Sequence, residues 1–145
     1  MNNDFQIEDV LLLIENKLYI HSIDNILHIE LFEESLTLDD NNLMFNTLDI
    51  YYDNCQKKNL SFYIVYNFSQ LSITSSSNLI YNSSIYNNHF DKHINFFRTN
   101  LKSLYIIVQN YTLRESLNTI LNLYNPEIKP HIIENINDLS INLSQ

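Results

Sequence analysis

The stretch Leu60–Leu79, which reads LSFYIVYNFSQLSITSSSNL, decides the fold class of this chain. Its first half, Phe62–Phe68, is an uncharged run of aromatic and β-branched residues. Such a run is typical of a strand that is covered on both faces in the centre of a parallel sheet. The second half becomes polar at Ser69 and gathers hydroxyl groups at Thr74–Ser77. Because an apolar pattern of helical spacing follows, we expect these hydroxyls at a strand-to-helix junction, where open α/β sheets usually place functional groups.

Length, composition and charge narrow the class of protein. With 145 residues, 45% of them apolar and 17% charged, the chain predicts one globular domain over residues 1–145, with residues 1–6 as a loose N-terminus. The formal net charge of −9 argues against binding to nucleic acid or to an anionic membrane surface. The single cysteine, Cys55, excludes a disulfide framework and favours a reducing compartment. The polar, acidic start Met1–Glu8 is unlike a secretory signal, and Val10–Ile14 is too short to span a bilayer, so we expect a cytoplasmic protein without membrane insertion.

The chain contains no glycine. Backbone positions that need a positive φ must therefore use Asn or Asp, the next most tolerant residue types. Glycine-rich phosphate loops of the Walker or dinucleotide kind are excluded in their usual form. The absence of these loops excludes most common classes of nucleotide-dependent enzyme. We predict no cofactor.

Strand and helix patterns alternate along the chain, which predicts parallel neighbouring strands with right-handed crossovers. The fold class that follows is α/β: a single compact domain with a mixed, mostly parallel sheet, an N-terminal β-hairpin and about four helices. The segment before the hairpin, which contains LLLI, fits a helix or a strand equally well. The first predicted elements are a hairpin of Leu18–Ser22 and Ile26–Phe32 that turns at Asp24–Asn25, and a helix Leu43–Lys57 with caps at Asp39–Asn42 and Asn59. The strand Phe62–Phe68, a helical stretch Leu79–Leu101 interrupted near Asn82–Asn88, and a strand Leu104–Gln109 follow. The last elements are a helix from a capping box at Thr112 and Glu115 to about Tyr124, a strand His131–Glu134 and a helix Ile136–Leu143.

A hairpin followed by alternating helices and strands is also the order of the STAS domain, the fold of bacterial anti-sigma-factor antagonists and of sulfate-transporter tails. The chain resembles that family over roughly Leu18–Leu143. Its segment Tyr66–Leu79 is similar to the family's buried strand and the Asp-Ser-Ser-Gly-Leu-like turn that opens a helix. In that register Ser75 stands at the family's Asp, Ser76 at its phosphorylatable Ser, Ser77 at the next Ser and Asn78 at its Gly.

The resemblance implies a non-catalytic regulatory domain that binds another protein through the strand-to-helix exit Ser72–Asn78. A phosphate on Ser76 would meet the positive end of the following helix and repel an acidic partner surface. The simpler interpretation is that Thr74–Ser77 only cap that helix. The resemblance also implies a second possible partner, another copy of this chain, since homodimerisation occurs in the family.

His89 and His93 are one helical turn apart and could share a metal ion. The zinc-protease pattern needs Glu directly after the first His, where this chain has Phe90, and no third ligand is near in sequence. The sequence therefore favours two solvent-facing histidines beside Asp91 and Lys92, and we predict no metal site and no catalytic residue.

A second class of function also fits the pattern. The domain could bind a small molecule or a lipid in a pocket between the sheet and the helix at residues 90–97. An exposed apolar patch without a deep pocket would favour the interaction domain, whereas a large apolar cavity behind Phe96 or Phe97 would favour the ligand carrier.

Overall fold

The computed structural model describes residues 9–32, 36–71, 83–115 and 130–139, with residues 83–87 described by their backbone alone. Six strands and three longer helices alternate along these ranges. Residues 111–115 are also helical, and a short 3₁₀ turn follows the last strand. The elements are β1 (Asp9–Ile14), β2 (Leu18–Ile23), β3 (Ile26–Leu31), α1 (Leu38–Lys58), β4 (Phe62–Asn67), α2 (Ser83–Lys92), α3 (Ile94–Asn100), β5 (Leu101–Ile107), β6 (His131–Ile133) and the turn Ile136–Asp138.

The strands form one sheet in the order β1-β2-β3-β4-β5-β6. β1, β2 and β3 are antiparallel neighbours, and β3, β4, β5 and β6 are parallel. This confirms the predicted α/β class with a mixed sheet and an N-terminal hairpin. The hairpin turns at Asp24 and Asn25, whose φ angles are 51° and 64°. The ambiguous LLLI segment is a strand, because Leu12 and Ile14 pair with Ile20 and Leu18 and pack on the core.

Strand β4 lies between two parallel neighbours, as its uncharged sequence predicted. Val65 in β4 aligns with His28 in β3 on one side and with Tyr105 in β5 on the other. Phe62 and Ile64 are fully buried on the face that the helices cover, and Val65 is fully buried on the opposite face. Coverage on both faces explains why the strand tolerates no charge.

The helices pack on one face of the sheet. Leu48 and Tyr52 of α1 and Phe97 of α3 form a single cluster with Phe62 of β4. Leu113, in the helical segment 111–115, packs on Ile106 and Ile132 of that same sheet face, since Ile106 aligns with Tyr66 in the helix-facing row. The opposite face has its own cluster: Ile26, Val65, Tyr105 and Ile107, with Leu139 packed against them.

Several predicted bounds are wrong. Helix α1 begins at Leu38 and not at Leu43, because Thr37 caps it: the Thr37 hydroxyl accepts from the Asp40 N–H, and the Asp40 carboxylate accepts from the Thr37 N–H. Asp39–Asn42 are therefore the first helical turn. The end was predicted correctly, since Asn59 has φ 52° and ψ 47° and its N–H returns to the last turn.

The later helices also differ from prediction. The polar residues 83–88 belong to α2, and the helical stretch is interrupted at His93, between α2 and α3. Asn110 and not Thr112 caps the helical segment 111–115, since its side-chain oxygen accepts from the Leu113 N–H at 2.8 Å. The predicted terminal helix is a 3₁₀ turn over Ile136–Asp138, capped by Asn135. The predicted loose N-terminus and the stretches 116–129 and 140–143 lie outside the described residues.

Candidate functional site

The predicted serine site lies outside the described residues, but the chain that leads into it is described. Asn67 ends β4, and its side-chain oxygen accepts from the Ser69 backbone N–H at 3.0 Å and from the Ser69 hydroxyl at 2.6 Å. The Leu71 N–H then bonds to the Phe68 carbonyl. These bonds fix the chain as it leaves the sheet at the carboxyl end of its central parallel strand. Ser75, Ser76, Ser77 and Asn78 follow this turn in the sequence and lie outside the described residues.

A cluster of titratable side chains forms where α1 lies beside the α2–α3 junction. We call Asp49, His89 and His93 the His–Asp cluster. Asp49 is in the middle of α1, His89 is in the last turn of α2, and His93 is the residue between α2 and α3. His89 and His93 are four residues apart, and their rings meet edge-on with centroids 5.0 Å apart.

Both histidines reach the same carboxylate oxygen. His89 Nε2 lies 2.8 Å from Asp49 Oδ1, and His93 Nε2 lies 2.6 Å from that oxygen. Lys92 Nζ donates to the other oxygen, Oδ2, at 3.0 Å. Asp49 therefore accepts from three groups that all belong to the neighbouring helical segment, which ties that segment to α1.

Aromatic rings hold the two imidazoles in place. The His89 ring stacks on Phe45 with centroids 4.4 Å apart and planes 18° apart. The His93 ring meets the buried Tyr52 edge-on at 4.9 Å. Only 12% of the His89 side chain and 17% of the His93 side chain are exposed, against 61% for Lys92. The prediction of two solvent-facing histidines is therefore wrong.

The environment shifts the protonation of this cluster. Burial alone would raise the pKa of Asp49, but hydrogen bonds from His93, Lys92 and His89 outweigh it and lower that pKa to about 2. Burial lowers the pKa of His89, although the nearby Asp49 carboxylate acts against the shift. Asp49 is therefore a carboxylate at neutral pH, and the burial of His89 favours its neutral imidazole.

Asp49 was missed by the sequence analysis. It stands 40 residues before His89, on another helix, and no local spacing connects the two. The available signal was weak: one acidic residue on the flank of an amphipathic helix, next to the buried Leu48. Contact between helices that are distant in the chain is set by tertiary packing.

A small cleft lies beside the cluster, at the place where a pocket between the sheet and residues 90–97 was predicted. Met44, Phe45, Leu48, Tyr52, Tyr66, His89, Phe90 and Phe97 line it. Its volume of about 20 Å³ suits a single water molecule. Within the described residues, the cleft has no space for a lipid chain or a cofactor-sized ligand.

The opposite face of the sheet carries a second group of polar rings. His21 in β2 pairs with His28 in β3, and their rings stack with centroids 4.7 Å apart. His21 Nε2 lies 3.3 Å from Glu30 Oε1, and the His21 ring also stacks on Tyr19. Burial and then the nearby His21 lower the pKa of His28 to about 4. The His28 imidazole is therefore neutral at physiological pH.

Large exposed apolar side chains lie on β1 and α1, and also at Tyr111 and Ile136. Leu43 and Ile50, two turns apart on α1, are 50% and 64% exposed. Val10 and Leu13 on the edge strand β1 are 59% and 64% exposed, on the sheet face opposite the helices. Leu43 and Ile50 are separated by the polar Asn46 and Thr47, and exposed apolar residues that are scattered singly in this way are common on protein surfaces.

Comparison of the chain with models of known protein families, with curated proteins and with solved structures returned no match. The site and the fold therefore carry the functional argument by themselves. None of the helices in the described ranges is long and apolar enough to cross a membrane.

Proposed function

We propose that this chain is a non-catalytic, STAS-like regulatory domain that works in the cytoplasm by binding another protein. The contact surface of the proposal is the exit from the central strand, Ser72–Asn78, with Ser76 as the residue whose modification would control binding. A second copy of the chain is the alternative partner.

The observation that carries the proposal is the position of β4, the strand that leads into Ser72–Asn78. β4 has parallel neighbours on both sides, and its last residue, Asn67, leads through the turn at Ser69 toward Ser72–Asn78. The carboxyl ends of parallel strands share one edge of the sheet, and loops at that edge commonly carry function. The position of the end of β4 supports the proposal, because the family resemblance implies a contact surface in the segment that follows this strand.

Two features favour a surface contact over a small-molecule pocket. Each connection from β3 to β6 places the next strand on the same side of the previous one. The order of the described strands across the sheet therefore never reverses. Ligand crevices of open α/β sheets form where that order reverses. In addition, the cleft beside Phe90 and Phe97 has room for only one water molecule.

The experiment begins with chemical crosslinking in the native source, followed by reconstitution of the identified protein with the purified chain. We expect a stoichiometric complex whose affinity falls at least tenfold with Ser76→Asp. Asn54→Asp is the matched control, because it adds the same charge at an exposed position of α1. An equal effect of both variants, or the absence of a reconstituted complex with another protein or with a second copy, would contradict the proposal.

A further inference from the structure

We propose that the His–Asp cluster of Asp49, His89 and His93 binds a divalent transition-metal ion, with Zn²⁺ as the best match. This site is independent of the proposed contact at Ser72–Asn78. The three candidate ligand atoms lie within 4.8 Å of one another. Imidazole nitrogen and carboxylate oxygen are ordinary ligands of zinc, and three protein ligands are the usual set of an open zinc site.

The convergence of the two imidazoles is the main geometric argument. His89 Nε2 and His93 Nε2 approach one oxygen, Asp49 Oδ1, at 2.8 Å and 2.6 Å. Tetrahedral zinc with bonds of about 2.0–2.1 Å keeps its ligand atoms about 3.3–3.4 Å apart. Each nitrogen would therefore move away from the oxygen by well under 1 Å to admit the ion, which small side-chain rotations can supply.

The rings are oriented before any ion binds. Phe45 packs on the His89 ring and Tyr52 packs on the His93 ring, so each imidazole already directs Nε2 toward the carboxylate. Ordering of the ligands before binding reduces the entropy lost on coordination.

Lys92 does not block the site. Its ammonium group occupies Asp49 Oδ2 at 3.0 Å and leaves Oδ1 to the two imidazoles. The side chain is 61% exposed, so it can turn into solvent when a cation approaches. Three protein ligands would leave one position of a tetrahedral ion for water or for a ligand atom from a partner.

The competing interpretation is an ion-pair contact that only joins α1 to the α2–α3 junction. Such a contact would account for the same distances without a metal ion. The two interpretations differ in two measurable properties: saturable binding of one ion per chain, and direct coordination of both Nε2 atoms.

The test is a titration of the tag-free, chelator-treated protein with Zn²⁺ in competition with a chromophoric chelator. Asp49→Asn and His93→Gln remove one ligand each. Asp53→Asn, one turn further along α1, and His131→Gln, on the exposed end of β6, are matched controls outside the cluster. Circular dichroism checks that each variant is folded.

We expect one Zn²⁺ per wild-type chain, a loss of affinity of more than about tenfold in the two cluster variants, and no change in the controls. Binding of Co²⁺ to the wild-type protein, followed by its visible absorption and by the shifts of the imidazole nitrogen signals, provides a readout that needs no variant. Absence of saturable binding at micromolar Zn²⁺, or equal losses in cluster and control variants, would overturn the proposal. Unperturbed Co²⁺ absorption and imidazole signals would overturn it as well.

Discussion

His93 Nε2 and Asp49 Oδ1 lie 2.6 Å apart, although 44 residues separate them in the chain. The contact connects the middle of α1 to the junction between α2 and α3. Tyr52, one turn beyond Asp49, packs against the His93 ring and the Phe97 ring, so the polar contact rests directly on the core. A polar group in this position can hold two helices in register, and it can also hold an ion between them.

The charge of Lys92 should lower the affinity of the His–Asp cluster for metal. Because Lys92 is 61% exposed, screening is close to that of bulk water, where a unit charge about 5 Å from a divalent ion costs about 1–2 kcal/mol. We therefore expect Lys92→Gln to tighten Zn²⁺ binding roughly fivefold, measured by the same chelator competition.

Lys57→Gln is the control for that measurement. Lys57 also pairs with an aspartate of α1, at 2.9 Å from Asp53, but it stands two turns from Asp49. An affinity gain of the same size in both variants would mean that overall charge, and not the ammonium group on Asp49, governs the binding.

The half-buried His28 on the other sheet face predicts a dependence of stability on pH. The pKa of His28 falls from 6.5 to about 4 on folding because of burial and the neighbouring His21. Between those values the unfolded chain binds the proton and the folded chain does not, so the free energy of unfolding decreases as the pH falls from about 6.5 to about 4. We expect His28 to account for about 1–2 kcal/mol of that decrease, less than full burial would give, because the ring keeps partial contact with solvent.

Urea unfolding at a series of pH values measures this contribution. His28→Gln should flatten the dependence between pH 4 and 6.5, whereas the exposed His131→Gln should leave it as in the wild type. A His28→Gln variant that keeps the full wild-type slope would show that other groups carry the pH dependence.

The cap that Asn110 forms on the helical segment 111–115 can be tested by substitution. Asn110 accepts the Leu113 N–H, so Asn110→Ala should lower the free energy of unfolding by about 1 kcal/mol. Thr112 is exposed and lies inside the helical turn, so Thr112→Ala should change it by less than about 0.5 kcal/mol. Thermal unfolding of the two variants shows which residue caps the segment. A larger loss of stability for Thr112→Ala than for Asn110→Ala would mean that Thr112 is the cap, as the sequence pattern indicated.

The sheet was largely predictable from the sequence because its signals are local. The uncharged run in β4 needs cover on both faces, and Asp24–Asn25 is a pair that accepts the positive φ angles of a tight hairpin. The bounds of α1 were harder to predict. Asp39–Asn42 resemble capping residues, but Thr37 and Asp40 form the cap that the structure uses. Several good capping residues in a row make the first helical residue ambiguous.

The His–Asp cluster could be predicted only in part. The spacing of His89 and His93 indicated two residues one helical turn apart. The structure brings their rings to 5.0 Å, although His93 lies between α2 and α3 and not within one helix. The third member, Asp49, comes from α1, and its position follows from how α1 and α3 pack on β4 through Tyr52, Phe97 and Phe62. Such a pairing of distant helices has no signature in a single sequence.

Anomalous diffraction from crystals grown with Zn²⁺, measured at the zinc absorption edge, would locate a metal ion in the His–Asp cluster directly. We expect one anomalous peak per chain, bonded to His89 Nε2, His93 Nε2 and an Asp49 carboxylate oxygen at about 2.0–2.2 Å. A map without a peak at these three residues, with the imidazoles still hydrogen-bonded to Asp49, would contradict it.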